Sequence, residues 1–333
     1  MRDESGRMKA DNFIPHPSSF LLCLADGARL VLCAGDETAA RVVDFLAQAA
    51  RPLPAPTPLS PNMRRLLIVT GVGQDDILPH VSDADVVYTL EPPDLPQPPR
   101  GQPDRTAGPQ PFTTAQWLWR QLLRLSACIA RETLSRGGVL LHSGLALTPI
   151  PLHPPSPLPI SGEGKGGRGG WGEGVLLAGR FGVGKTTASR RLPSPWRALA
   201  DDMVLVVRAE DGAYWAHPWP TWSRFFGEEA GDGSDTWDVQ QAVSLRAIFV
   251  LEQGEEDRVE PLGPGHAVAL LAELARQTST YFLRGWPLDE LAAFNRQRFE
   301  NLCALARAVP AYLLHVSLAG AFWEEMARVL QPP

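Results

Sequence analysis

The sequence predicts an α/β P-loop domain preceded by a small α+β domain, and three observations carry that reading. The stretch Gly179-Arg180-Phe181-Gly182-Val183-Gly184-Lys185-Thr186 matches G-x-x-x-x-G-K-[ST]; a short apolar run, Val175–Ala178, precedes it and a helical pattern, Thr187–Leu192, follows it. Two adjacent acids, Asp201 and Asp202, begin sixteen residues after Lys185, which leaves room for one helix and one strand. Upstream, Asp26-Gly27 separates the apolar runs Phe20–Ala25 and Arg29–Ala34, and Asp-Gly accepts the positive φ angles of a type I′ hairpin turn.

The first ten residues are polar and expected to fray. After the hairpin, Glu37–Ala50 carries Ala, Val, Phe and Leu at helical spacing. The strands Leu66–Thr70 and Val86–Leu90 complete a small α+β domain over residues 15–92, in which nothing looks catalytic. Residues 93–111 are Pro-rich and read as a linker. A helix is expected over Thr113–Ser135, with Trp117, Leu118, Leu122, Leu125, Ile129 and Leu134 on its apolar stripe and Gly137-Gly138 as its stop. Val139–Leu147 reads as a strand.

Between that strand and the P-loop strand lies an insert, residues 148–174, first Pro-rich and then Gly-rich. It has too few aliphatic residues to offset chain entropy, so disorder is expected. Without it the two flanking strands form a hairpin. Past the P-loop the pattern gives strands near Trp196–Ala200, Met203–Val207, Ala213–Ala216 and Ala247–Leu251, helices over His266–Gln277, Asp289–Ala308 and Gly320–Leu330, and a strand at Ala311–Val316. The second domain therefore spans residues 112–330.

Composition narrows the function. No run approaches the roughly eighteen apolar residues of a membrane span, and the charged N-terminus is unlike a signal peptide, so a cytoplasmic protein is expected. Cys23, Cys33, Cys128 and Cys303 lie far apart, which suggests neither a zinc site nor a disulfide framework. A net charge of −6 without a Lys/Arg block argues against a nucleic-acid partner. Nothing in the pattern speaks to oligomeric state.

The motif residues point to a nucleoside triphosphate. Gly179, Gly182 and Gly184 let the backbone turn with its N–H groups inward, Phe181, Val183 and Thr187 complete the cradle, Lys185 reaches the β- and γ-phosphates of ATP, and the Thr186 hydroxyl ligates Mg²⁺. The acids Asp201 and Asp202 are expected on a strand next to the P-loop strand. They would divide their labour: one for metal, one to accept a proton from a hydroxyl nucleophile. His142, at the end of an apolar run, is either a hydrogen-bonded structural residue or a donor to the γ-phosphate or an orienter of the acids. Trp215, Trp219, Trp222, Phe225 and Phe226 read as core packing, and Arg224 and Arg246 as surface cations.

Val139–Gly144, then Gly179–Thr187, then Ala200-Asp201-Asp202 resemble, in order and spacing, the C-terminal domain of the HPr serine kinase/phosphorylase family, whose fold is related to that of phosphoenolpyruvate carboxykinase. Arg246–Leu262, Ala308–Leu314 and Phe322-Trp323 are similar to HPr-kinase-like proteins of peptide-modification gene clusters, in particular the SynChlorMet cassette family ScmC. The resemblance implies Lys185 and Thr186 on phosphates and Mg²⁺, Asp201 as base, Asp202 toward the metal and His142 near the γ-phosphate. It departs at Thr186-Thr187, where that family commonly has Ser-Glu, and in lacking the later basic loop of the phosphorolysis reaction. The expected activity is ATP-dependent transfer of a phosphoryl group to a Ser or Thr hydroxyl of a peptide or small protein. The alternatives are a non-catalytic nucleotide-binding regulatory module and a small-molecule kinase.

Overall fold

The computed structural model describes residues 19–50, 52–55, 62–70, 84–90, 114–149, 172–220, 238–279, 283 and 286–331. The expected linker 93–111, the greater part of the insert, and Trp222, Arg224, Phe225 and Phe226 lie outside the described residues. What is described is a mixed α/β protein with two sheets and six helices. It divides into two compact units, the first holding the described residues of 1–22, 29–48 and 52–126 and the second those of 23–28, 49–51 and 127–333.

The first unit is built on a five-stranded sheet of order β3-β1-β2-β4-β5, from β1 (Ser19–Cys23), β2 (Arg29–Ala34), β3 (Leu53–Pro54), β4 (Arg64–Thr70) and β5 (Val86–Leu90). Strands β2, β4 and β5 run parallel, which requires a crossover, and helix α1 (Glu37–Ala50) supplies it. Asp36 caps α1: its carboxylate accepts from the Ala39 amide at 2.7 Å and from the Thr70 amide at 2.6 Å, tying the helix start to the end of β4. The two-residue β3 falls between the expected helix Glu37–Ala50 and strand Leu66–Thr70, where the sequence reading gave no strand. It sits at the sheet edge, where a proline costs no ladder bond.

Helix α2 (Thr114–Leu134) buries Trp117, Leu122, Leu125, Ile129 and Leu134 at helical spacing. It stops where the Gly138 amide donates to Thr133 O and Gly137 takes a φ of 88°.

The second unit holds an eight-stranded sheet from β6 (Val139–Leu147), β7 (Glu173–Ala178), β8 (Arg197–Ala200), β9 (Met203–Arg208), β10 (Tyr214–Pro218), β11 (Val243–Gln253), β12 (Arg258–Leu262) and β13 (Ala311–Val316). Its order is β10-β9-β6-β7-β11-β13-β12, with β8 also on β6 and a further pairing of β10 with β11. Strand β7 lies antiparallel to β6 and parallel to β11, and β11 lies parallel to β13.

Side chains alternate between the two faces. Leu176 and Ala178 of β7 join Leu145, Ile248 and Val250 in a core against Leu271 and Leu274 of α4 (Pro264–Ser279) and Leu302 and Leu305 of α5 (Leu288–Ala308). Val175 and Leu177 join Phe249 on the other face, with Ala188 of α3 (Lys185–Arg191) and Phe322 and Met326 of α6 (Phe322–Leu330). Helices thus cover both faces, which is why β7 and β11 read as continuous apolar runs.

Three expectations change here. Strand β12 was missed because Pro261 interrupts its pattern; it pairs only with β13, at the sheet edge. Arg246 is not a surface residue. It sits where the β11–β7 register shifts between Leu245 and Ala247, its guanidinium pairs with Glu173 at 2.6 Å, and it also donates to Leu330 O. The acid pair does not lie on a neighbour of β7, because β8 and β9 both pair with β6, so β6 stands between the acids and the P-loop strand.

Candidate active site

Three adjacent chain segments of the second unit meet at one end of the sheet. Strand β7 ends at Ala178, opposite Ser143 of β6, and the loop 179–184 follows. On the far side of β6, Ala200 of β8 faces Leu145 and Met203 of β9 faces His142, so Asp201-Asp202 lie beside Ser143 and Gly144. The Ser143 amide donates to Asp202 O at 2.9 Å and fixes that position. Gly144 leaves little room there: a Cβ would stand 3.1 Å from Ser189 Oγ and 3.3 Å from Ala200 O.

The loop has the backbone that its glycines predict. Gly182 and Gly184 take φ angles of 80° and 102°, which favour glycine, and a Cβ added at either would meet no protein atom within 4 Å. Gly179 differs, since a Cβ there would press on Val183 Cγ1 at 2.7 Å. Lys185 is buried, and its ammonium bridges the loop to Gly179 O at 3.0 Å and Arg180 O at 3.1 Å. Burial lowers its pKa, opposed by the charges of Asp202 and Asp201, so both acids lie within electrostatic reach of the lysine. Helix α3 has only seven residues.

The two acids have different partners. Thr186 Oγ1 donates to Asp201 Oδ2 at 3.4 Å, and Asp201 is buried. Asp202 Oδ1 lies 2.7 Å from His142 Nε2, with a third of the Asp202 side chain exposed. It is Asp201, rather than the Asp202 that the resemblance turns toward the metal, that stands beside the Thr186 hydroxyl. His142 is buried, and its second nitrogen, Nδ1, faces Gln277 Oε1 of α4 at 2.6 Å. Both ring nitrogens are therefore engaged by protein, which fits an orienter of Asp202 rather than a direct phosphate donor. Phe181 is exposed and its ring stacks toward the His142 ring at 6.4 Å and 28°, whereas Thr187 points to solvent on α3.

Sequence reasoning missed Gln277 and its neighbour Glu273, which accepts from Gln277 Nε2 at 3.1 Å. Their spacing of one helical turn is visible in the sequence, but their meeting with a residue 135 positions away is not.

The donor set fits a magnesium-bound triphosphate. Thr186 and Asp201 offer hard oxygens side by side, and among the described residues no cluster of three His, Cys, Asp or Glu could hold a metal alone, so phosphate and water oxygens would complete the shell. No helix among the described residues is long and apolar enough to cross a membrane.

Residues 170–331, just under half of the chain, match the family model of the SynChlorMet cassette protein ScmC. That match covers the P-loop, the acid pair, α4, β13 and α6. No curated protein matches the chain.

Proposed function

We propose that this ScmC-like unit is an ATP-dependent phosphotransferase whose acceptor is a hydroxyl, Ser or Thr, on a peptide or small protein, and that its fold is of the HPr kinase/phosphoenolpyruvate carboxykinase type. The observation that carries the reading is the convergence of Lys185, the Thr186–Asp201 pair and the His142–Asp202 pair at the ends of β7 and β6. In this reading Lys185 and the loop amides bind the β- and γ-phosphates, while Thr186 and Asp201 hold Mg²⁺. The metal, when bound, neutralises charge on the transferring group.

Asp202 then serves as the base. Its Oδ1 is held by His142, and its partial exposure leaves the other oxygen open to an acceptor arriving from solvent. The acceptor oxygen forms its bond to the γ-phosphorus as the bond from that phosphorus to the β,γ-bridging oxygen breaks; the hydroxyl proton passes to Asp202, and ADP leaves. Catalysis rests on positioning and charge neutralisation. The open approach past the exposed Phe181 and Asp202 favours a side chain on a macromolecule over an enclosed metabolite.

The test is incubation with labelled ATP, Mg²⁺ and candidate peptides or small proteins. Label transfer that disappears in Lys185→Ala supports the proposal. Nucleotide binding without transfer to any acceptor would instead make the unit a regulatory nucleotide module, and transfer to metabolites only would make it a small-molecule kinase.

A further inference from the structure

The hydrogen bonds around His142 continue into α4 as a chain: Glu273, Gln277, His142, Asp202. Its direction is set at the outer end. Glu273 accepts from Arg276 at 2.7 and 2.8 Å as well as from Gln277, and these bonds bring its pKa down to about 2. At neutral pH that carboxylate only accepts, so the Gln277 amide must turn its NH₂ outward to Glu273 and its carbonyl inward to His142. The reverse rotamer would set two oxygens face to face. A carbonyl cannot donate, and therefore Nδ1 of His142 carries a proton.

The helix holding Gln277 is itself fixed on β6. The next residue, Thr278, is buried and its hydroxyl lies 3.0 Å from Leu140 O, two positions before His142. From the loop side, the Phe181 ring faces the imidazole. Among the described residues these contacts leave the ring one orientation.

We propose that Gln277 is a positioning residue of the site: its carbonyl accepts from Nδ1–H of His142 and holds the ring so that Nε2–H donates to Asp202, and it thereby sets the direction in which the Asp202 carboxylate is turned. The catalytic consequence rests on the reading of Asp202 as proton acceptor; the bond from Nδ1–H to Gln277 does not. A Gln277→Leu variant keeps the volume and helix propensity but removes the acceptor, and Gln277→Glu keeps an acceptor for Nδ1–H.

The experiment uses the full chain labelled with ¹⁵N-histidine, the His142 signals being identified by their loss in His142→Gln. Wild type should show pyrrole-type, protonated signals for both His142 nitrogens; Gln277→Leu should lose the Nδ1 proton while its near-ultraviolet circular dichroism stays native; Gln277→Glu should restore it. In the transfer assay, Gln277→Leu should lower kcat on the order of 10- to 100-fold with KM for ATP within about threefold, and Gln277→Glu should recover the larger part. An unprotonated Nδ1 in wild type, or the same His142 pattern in wild type and Gln277→Leu, overturns the proposal. If the Nδ1 proton responds as expected while wild type transfers phosphate to nothing, the role of Gln277 stands and the reaction assigned to Asp202 falls.

Discussion

Lys185 works against folding. Its ammonium is buried beside two backbone carbonyls, and burial lowers its pKa below the ordinary 10.5. The unfolded chain then holds the proton more tightly than the folded one, so stability rises as pH climbs from the folded pKa toward 10.5. Lys185→Met should flatten that rise, leave the melting temperature at neutral pH equal or higher, and weaken ATP binding by about tenfold or more. A melting temperature that drops sharply would mean that the charge stabilises the loop.

The acids give a second prediction at this scale, because their partners differ. Asp201→Asn should remove most of the Mg²⁺ dependence of nucleotide binding, whereas Asp202→Asn should leave binding nearly intact and lower kcat by roughly 10²-fold or more, the usual worth of a positioned base. Calorimetry with and without Mg²⁺, beside single-turnover transfer, separates the two. The same loss from both variants would contradict the division of roles. What the sequence showed of the site was its local part, the loop and the acid pair, since their chemistry is written in contiguous residues. Which acid meets Thr186 depends on how Asp201-Asp202 are turned beside Ser143, a matter of register between β6 and β8–β9 that no local pattern encodes.

At the scale of elements, strands covered on both faces and helices with one apolar stripe were legible because burial imposes a period. Edge strands β3 and β12 were not, since an edge tolerates prolines at Pro54 and Pro261 that a central strand would exclude. Arg246 shows a different limit. Charge alone suggests a surface residue, yet a register shift turns it toward Glu173 and the end of α6. Both side chains of that pair are largely covered, so Arg246→Ala leaves a carboxylate and a helix-end carbonyl without their donor and should cost about 2–4 kcal/mol. Denaturant unfolding checks it; a change under about 0.5 kcal/mol would mean that the pair is as weak as an exposed one.

For the whole molecule, the chain between β6 and β7 is an excursion from a hairpin that closes without it. Leu147 faces Gly174, and the Thr148 amide donates to Glu173 O at 2.8 Å. Replacing residues 150–171 with a short Gly-Ser turn should therefore leave folding and nucleotide affinity within about twofold of wild type, because loop-closure entropy changes only slowly with length. A loss of folding on that deletion would show that the excursion is part of the core.

The proposed convergence of the loop, Lys185 and the two acids on one triphosphate is tested most directly by calorimetric titration of the full chain with ATP, in Mg²⁺ and in excess chelator. It predicts one saturable site per chain that weakens by about tenfold or more in Lys185→Ala and on removal of Mg²⁺. No heat of binding from ATP or GTP, or an affinity indifferent to both changes, would contradict it.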